Sequence, residues 1–184
     1  MKCRLVIWLL CSLWAVSCIN EHDEEKQKAS ADIQVGDPLP VFDVVMSDGQ
    51  HVNTDSLRGK RAVVVFFHTG CPDCQQELPR LDSLYRSLRY VPDFRLICIA
   101  REQKKEEIQK YWESKHLSLP YSPQSDRQIY NLFASSIIPR IYIASPEGIV
   151  RFVHDDRDMP YCRQLEEEVR DCLSEAKSLD PQKG

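Results

Sequence analysis

The 184-residue chain has no excess of positive charge; its formal net charge is −4. The electrostatic footprint of a nucleic-acid binder is therefore missing. No segment of 20 to 50 residues recurs, which excludes solenoids and propellers. A zinc site needs a second cysteine or histidine pair at ligand spacing, and none is present. The eight cysteines include three within the first eighteen residues, so the remainder of the chain is not a disulfide scaffold. What is present is ordinary for one globular domain: 42% hydrophobic and 28% charged residues, with enough length for a proper core.

The N-terminus reads as an address. Met1-Lys2-Cys3-Arg4 is a short positive region, and Leu5 to Trp14 is an apolar run of ten residues. A bilayer span takes about 20, so this run fits a secretory signal. Ala15-Val16-Ser17-Cys18 then resembles a bacterial lipobox, with Ala15 where leucine is usual. The resemblance implies a signal peptide over 1–17 and lipidation of Cys18. Residues 18–32 are rich in Glu, Asp and Lys and are expected to form a disordered acidic tether. The acidic run also resembles surface-export signals of outer-membrane lipoproteins. The folded part, 33–184, would then work outside the cytoplasm, where disulfide chemistry is possible.

The domain is organised around Arg61 to Leu88. Val63-Val64-Val65-Phe66-Phe67 is a continuous apolar run, as in a strand buried on both faces. Cys71-Pro72-Asp73-Cys74 follows, and the apolar spacing then changes to three and four at Leu78, Leu81, Leu84, Tyr85 and Leu88. That predicts a strand, a tight turn and an amphipathic helix from Pro72 to about Arg89, with Cys71 at the helix start, where a thiol becomes nucleophilic. Pro79 inside it predicts a kink. Upstream, Val41–Met46, the turn Ser47-Asp48-Gly49 and His51-Val52 predict a hairpin. Thr54 or Asp55 is expected to cap a helical turn ending at Gly59. Downstream, strands are expected over 94–100, 140–144 and 149–154, helices over 104–116, 126–135 and 160 to about 177, and a loop over 118–125. The order predicts an α/β fold: a central mixed sheet with helices on both faces and an N-terminal β-hairpin.

With these residues in place, the chain resembles the thioredoxin-fold thiol–disulfide oxidoreductases. More narrowly it is similar to the TlpA/ResA-like envelope lipoproteins of the Redoxin/AhpC-TSA superfamily. The matching pieces are Val35-Gly36-Asp37-Pro38, Asp48-Gly49, Leu57-Arg58-Gly59-Lys60, Cys71-Pro72-Asp73-Cys74 with Glu77 and Pro79, Asp126, Ile138-Pro139 and Pro146-Glu147-Gly148. Three positions depart from the pattern. Gly70 stands where an aromatic is usual, Arg140 where a small hydroxyl residue is common, and Val65 where thioredoxin has a buried aspartate. The resemblance implies a redox-active disulfide between Cys71 and Cys74, and a cis bond at Pro139 that faces it. Pro72, Ile138 and Pro139 would then contact substrate, by strand addition along the backbone. No cofactor or metal is implied. Partners would be disulfide-bearing envelope proteins such as apocytochrome c, and a membrane thiol reductant as electron donor. The place of work would be the cell envelope, facing the periplasm or exposed at the outer membrane.

The residue types support that chemistry. Exchange begins when a thiolate attacks a disulfide sulfur. Cys71 would lie near free helix N–H groups and the positive end of the dipole. Cys74, one turn on, can resolve the mixed disulfide but should be harder to deprotonate. Glu77 can accept its proton, or stand as an exposed helix glutamate. Asp73 opposes the thiolate and should make the pair more reducing. Arg140 reads as a surface arginine or as a selector of acidic substrates. Cys98, Cys162 and Cys172 read as core residues; the last two, about 15 Å apart along one helix, cannot pair with each other. His68 reads as a strand-end residue close enough to act on Cys71. Two other functions share these features. A thiol peroxidase needs a proline at fixed offset that Phe66-Phe67-His68-Thr69-Gly70 lacks. A copper-delivery protein of the same fold places three residues between its cysteines, against two here.

Overall fold

A computed structural model describes residues 32–172. The expected signal peptide, Cys18, the tether up to residue 31 and the end of the last helix, with Leu173 and Ala176, lie outside the described residues. A two-stranded hairpin comes first, β1 (Asp43–Val45) with β2 (His51–Asn53), antiparallel. Its turn is closed by Gly49 at φ +85°, a conformation that glycine adopts without a Cβ clash. A short 3-10 turn, Thr54–Leu57, follows. Its cap is Asn53, whose Oδ1 accepts from Ser56 N at 2.9 Å, and not Thr54 or Asp55. Thr54 instead donates its hydroxyl to the Pro40 carbonyl at 2.6 Å, tying the hairpin to the chain before it.

The main sheet contains β3 (Arg61–Phe67), β4 (Phe94–Ala100), β5 (Tyr121–Ser122), β6 (Arg140–Ala144) and β7 (Val150–His154), in the order β5-β4-β3-β6-β7. β3, β4 and β5 run parallel, while β6 is antiparallel to both β3 and β7. Every residue of β3 is buried, as its unbroken apolar run requires. Val63, Val65 and Phe67 point to a core shared with three helices, α1 (Pro72–Leu88), α2 (Lys105–Lys115) and α3 (Cys162–Asp171). Val64 and Phe66 point to a second core under the hairpin, the 3-10 turn at Leu57 and a further 3-10 turn, Tyr130–Leu132. Helical elements thus cover both faces of the mixed sheet.

Two segments differ from expectation. The loop over 118–125 contains β5, which extends the sheet by pairing Tyr121 and Ser122 with Cys98 and Ile99. The helix expected over 126–135 is reduced to its one 3-10 turn, because Tyr130, Phe133 and Ala134 must all reach the same core from a short stretch. Aromatic contacts hold it there: Phe66 lies 4.9 Å from Phe133 and 5.3 Å from Tyr130, centroid to centroid. The Tyr130 hydroxyl also donates to the Ile137 carbonyl at 2.6 Å, which fixes the approach to Pro139.

Candidate active site

Three segments meet at the C-terminal end of β3: the loop 68–70 with the start of α1, the turn after β4, and the segment leading into β6. Cys71 is the N-cap of α1, in extended conformation, with Pro72 exposed at the first helical position, where its missing N–H costs nothing. Its Sγ accepts from Cys74 N at 3.5 Å, as a capping side chain does. The same sulfur is 3.5 Å from the Ile138 carbonyl, to which its thiol donates. Ile138-Pro139 is cis, and Pro139 is buried while Ile138 is half-buried beside Cys71. The structure therefore brings together Cys71, Cys74, Pro72, Ile138 and Pro139. Both cysteines are free thiols in this structure.

Cys71 is half-buried and Cys74 is fully buried. Burial pushes the Cys74 thiol well above its ordinary range, and the neighbouring Cys71 and Asp73 push the same way. Glu77, one turn further, is 0% exposed rather than on the helix surface. Burial raises its proton affinity, against the pull of Arg80 and His154 toward the carboxylate. Its Oε2 accepts from Arg80 Nη1 at 3.1 Å, while Oε1 is buried without a hydrogen-bond partner among the described residues. A buried carboxylate that is half satisfied, one helical turn along from a thiol that resists ionisation, is suited to take a proton.

The loop ahead of Cys71 is clamped by residues that spacing alone does not reveal. Gln103, after β4 and 3% exposed, accepts from Thr69 N at 3.0 Å and donates to Thr69 Oγ1. Gln75 donates to the Thr69 carbonyl at 2.7 Å. Gly70 N donates to His68 Nδ1 at 2.9 Å, and Cys71 N to the His68 carbonyl at 3.0 Å. A Cβ on Gly70 would lie 3.1 Å from His68 Nδ1, so a side chain here would press on that ring. His68 thus shapes the turn rather than packing at a strand end. Tyr111 on α2 has a buried hydroxyl without a partner among the described residues; burial raises its proton affinity, and the charge of Cys74 raises it further.

Arg140 is neither a surface residue nor open to acidic substrates. It is 6% exposed, and its Nη2 is 2.6 Å from Asp32 Oδ2. Asp32 also accepts from Ser135 N and Ser135 Oγ, both at 2.9 Å, so this residue, expected to belong to the disordered tether, is instead held in place. Cys98 and Cys172 are buried in the core and Cys162 packs against it half-buried, as expected.

Comparison with known proteins places this arrangement. The AhpC/TSA family model matches residues 35–153. The thiol–disulfide oxidoreductase ResA of Bacillus subtilis is 23% identical over 118 residues, which cover 64% of this chain and 65% of that protein. The chain thus spans just under two thirds of that relative's length. Among solved structures, a thiol:disulfide interchange protein of the thioredoxin family from Chlorobium tepidum superposes with a TM-score of 0.63 at 23% identity, covering 78% of this chain and 99% of that one. The pneumococcal exposed lipoprotein thioredoxin Etrx1 of Streptococcus pneumoniae superposes with a TM-score of 0.61 at 14% identity, covering 71% and 98%. Both likenesses establish a thioredoxin-like fold. With well over half its length matched, the chain belongs to the AhpC/TSA family, with thiol–disulfide oxidoreductases among its relatives.

Proposed function

We propose that the protein is a thiol–disulfide oxidoreductase that reduces disulfides in exported proteins. The observation that carries this reading is the seat of Cys71: a helix N-cap sulfur, half-buried, 3.5 Å from both Cys74 N and the Ile138 carbonyl. The Cys71 thiolate attacks one sulfur of a substrate disulfide. A mixed disulfide forms, and the first substrate thiolate leaves and takes a proton from solvent. Cys74 then gives its proton to the Glu77 carboxylate and attacks the Cys71 sulfur. The second substrate thiolate departs, and two electrons have passed to the substrate while Cys71–Cys74 becomes a disulfide. A membrane thiol reductant returns the two electrons. Pro139 and Ile138 border the sulfur and offer backbone to an extended substrate segment.

The place of work is proposed to be the cell envelope, with Cys18 lipidated and facing the periplasm. The apolar run Leu5–Trp14 and the small residues ahead of Cys18 support it. Apocytochrome c is a fitting substrate, since its haem-binding thiols must be reduced in that compartment. The test is a Cys74→Ala chain exposed to an envelope extract and to insulin. A stable mixed disulfide through Cys71 is expected, and its partner names the substrate. No mixed disulfide, together with a wild type that fails to reduce insulin, would overturn the reading. Loss of fatty-acid labelling in Cys18→Ser checks the anchor.

A further inference from the structure

The turn that delivers Cys71 is held at both ends by His68. Its carbonyl accepts from Cys71 N at 3.0 Å, and its ring Nδ1 accepts from Gly70 N at 2.9 Å. A backbone N–H can only donate, so Nδ1 offers a lone pair and carries no proton. The ring that makes this bond is therefore neutral, with its proton on Nε2. The bond reaches two residues ahead, as in an Asx turn. The chain uses that turn elsewhere: Asp48 Oδ1 accepts from Gln50 N at 3.0 Å, and Asp126 Oδ1 from Gln128 N at 2.9 Å. At Cys71 an imidazole takes the place of the carboxylate. Residue 70 must be small for this, since a Cβ there would lie 3.1 Å from Nδ1 and 3.2 Å from Cε1. The ring fills the room that a side chain would need, which fits glycine where an aromatic is usual.

The titratable and charged groups of the elements that meet at this turn are Cys71, Asp73 and Cys74 from α1, Arg101 and Glu102 from the turn after β4, and Asp126 beyond it. Arg101 N donates to the Phe67 carbonyl at 2.9 Å, and Glu102 N to the Asp126 carbonyl at 3.1 Å. The Arg101 guanidinium lies 5.0 Å over the Tyr130 ring and 3.7 Å from the Glu102 carboxylate. The Asp126 carboxylate accepts from Gln128. Among the described residues none of these side chains bonds the His68 ring, so its partner is Gly70 N. Ile138 and Pro139, on the far side of Cys71, carry no titratable group.

We propose that His68 is a positioning residue for Cys71: its neutral ring holds Gly70 N–H and so seats the attacking sulfur, and uptake of a proton from solvent at Nδ1 releases the turn and slows the attack. This rests on the reading of Cys71 as the attacking thiol. A histidine beside a reactive cysteine ordinarily acts as an imidazolium that favours the thiolate. That role and this bond exclude each other, because Nδ1–H and Gly70 N–H would be two donors face to face. Histidine is also the side chain whose charge ordinarily changes between about pH 5 and 8, which a carboxylate in the same turn would not do.

The test is stopped-flow reaction of the reduced full chain with dithionitrobenzoate, from about pH 8 to about pH 5.5. A first phase, absent in Cys71→Ser, reports attack by Cys71, and a second phase reports resolution by Cys74. His68→Asn supplies an acceptor that does not titrate, in Asx-turn geometry. Dividing the wild-type first-phase rate by that of His68→Asn cancels the ionisation of Cys71 itself. The ratio is expected to be about one at pH 8 and to fall about threefold by pH 5.5. His68→Leu has no acceptor and should be about threefold slower than His68→Asn at every pH. If His68→Asn does not fold, the ratio of wild type to His68→Leu falls in the same direction, from about three to about one. A ratio that rises in acid means that an imidazolium assists the thiolate, and a flat ratio means that the ring's charge has no effect; either overturns the proposal. A His68→Leu chain as fast as His68→Asn at every pH overturns it too. A first phase that persists in Cys71→Ser removes the assignment of Cys71 instead, and with it the proposed function.

Discussion

Glu77 has its whole side chain removed from water and is paired with Arg80, whose own side chain is 33% exposed. An ionised carboxylate in that setting is costly unless it is fully hydrogen-bonded, and Oε1 is not. The folded state therefore binds the Glu77 proton more tightly than the unfolded chain does. A group of this kind stabilises the fold most at low pH, and the contribution is lost as pH rises through its raised value. Glutamine mimics the protonated form. Glu77→Gln is thus expected to keep or raise the urea midpoint at pH 7, while slowing resolution by Cys74 about 10- to 100-fold. A chain that loses both stability and activity would show that the carboxylate is structural. The position of Glu77 was legible from its spacing to Cys74, but its burial was not. That burial depends on α3 packing against α1 from far along the chain, and no local pattern encodes it.

At the scale of elements, the join between β3 and α1 is held by side chains from other elements. Thr69 has its N–H and hydroxyl bonded by Gln103 and its carbonyl by Gln75. Gln103→Leu would leave Thr69 N buried without a partner, at a cost of about 2 to 3 kcal/mol. Urea denaturation checks the stability, and a slower first phase with dithionitrobenzoate checks that the clamp positions Cys71. Asp82 does the same for the far end of the insertion between β4 and β5. Its Oδ1 accepts from Ser118 N at 2.6 Å, Ser118 Oγ at 2.9 Å and Leu119 N at 2.9 Å. Asp82→Ala strips three donors at once and should lower the urea midpoint by an amount equal to about 3 kcal/mol. Strands β3, β4 and β6 and helix α1 were legible because long apolar runs and a 3.6-residue period mark them. The clamp was not, since a glutamine after a strand carries no signal of its partner. The helix expected over 126–135 failed for a related reason: its apolar residues follow the demands of an aromatic cluster, not a helical period.

Across the whole molecule, the start of the described chain and the segment that carries Ile138-Pro139 are joined. Asp32 accepts from Arg140 Nη2 and from both Ser135 donors, and Ile33 N donates to the Phe133 carbonyl at 2.8 Å. The segment from Phe133 to Arg140 carries Ile138-Pro139, so the residue that ends the acidic stretch also braces the wall of the site. Sequence could not show this, because the partners are more than a hundred positions apart and an aspartate in an acidic run looks like its neighbours. The Asp32 carboxyl is held below the usual aspartate range by these partners, against a burial effect that would raise it. A carboxyl with a lowered value adds stability that is fully present above its unfolded value of 3.8 and is lost as pH falls through the folded one. Asp32→Ala leaves Arg140 buried, with its Nε already unpartnered among the described residues, and should cost about 3 kcal/mol at pH 7. The wild type loses the same contribution in acid, so the two urea midpoints should converge as pH is lowered toward 3. A difference that stayed constant from pH 7 to pH 3 would mean that Asp32 holds this segment by shape and not by charge.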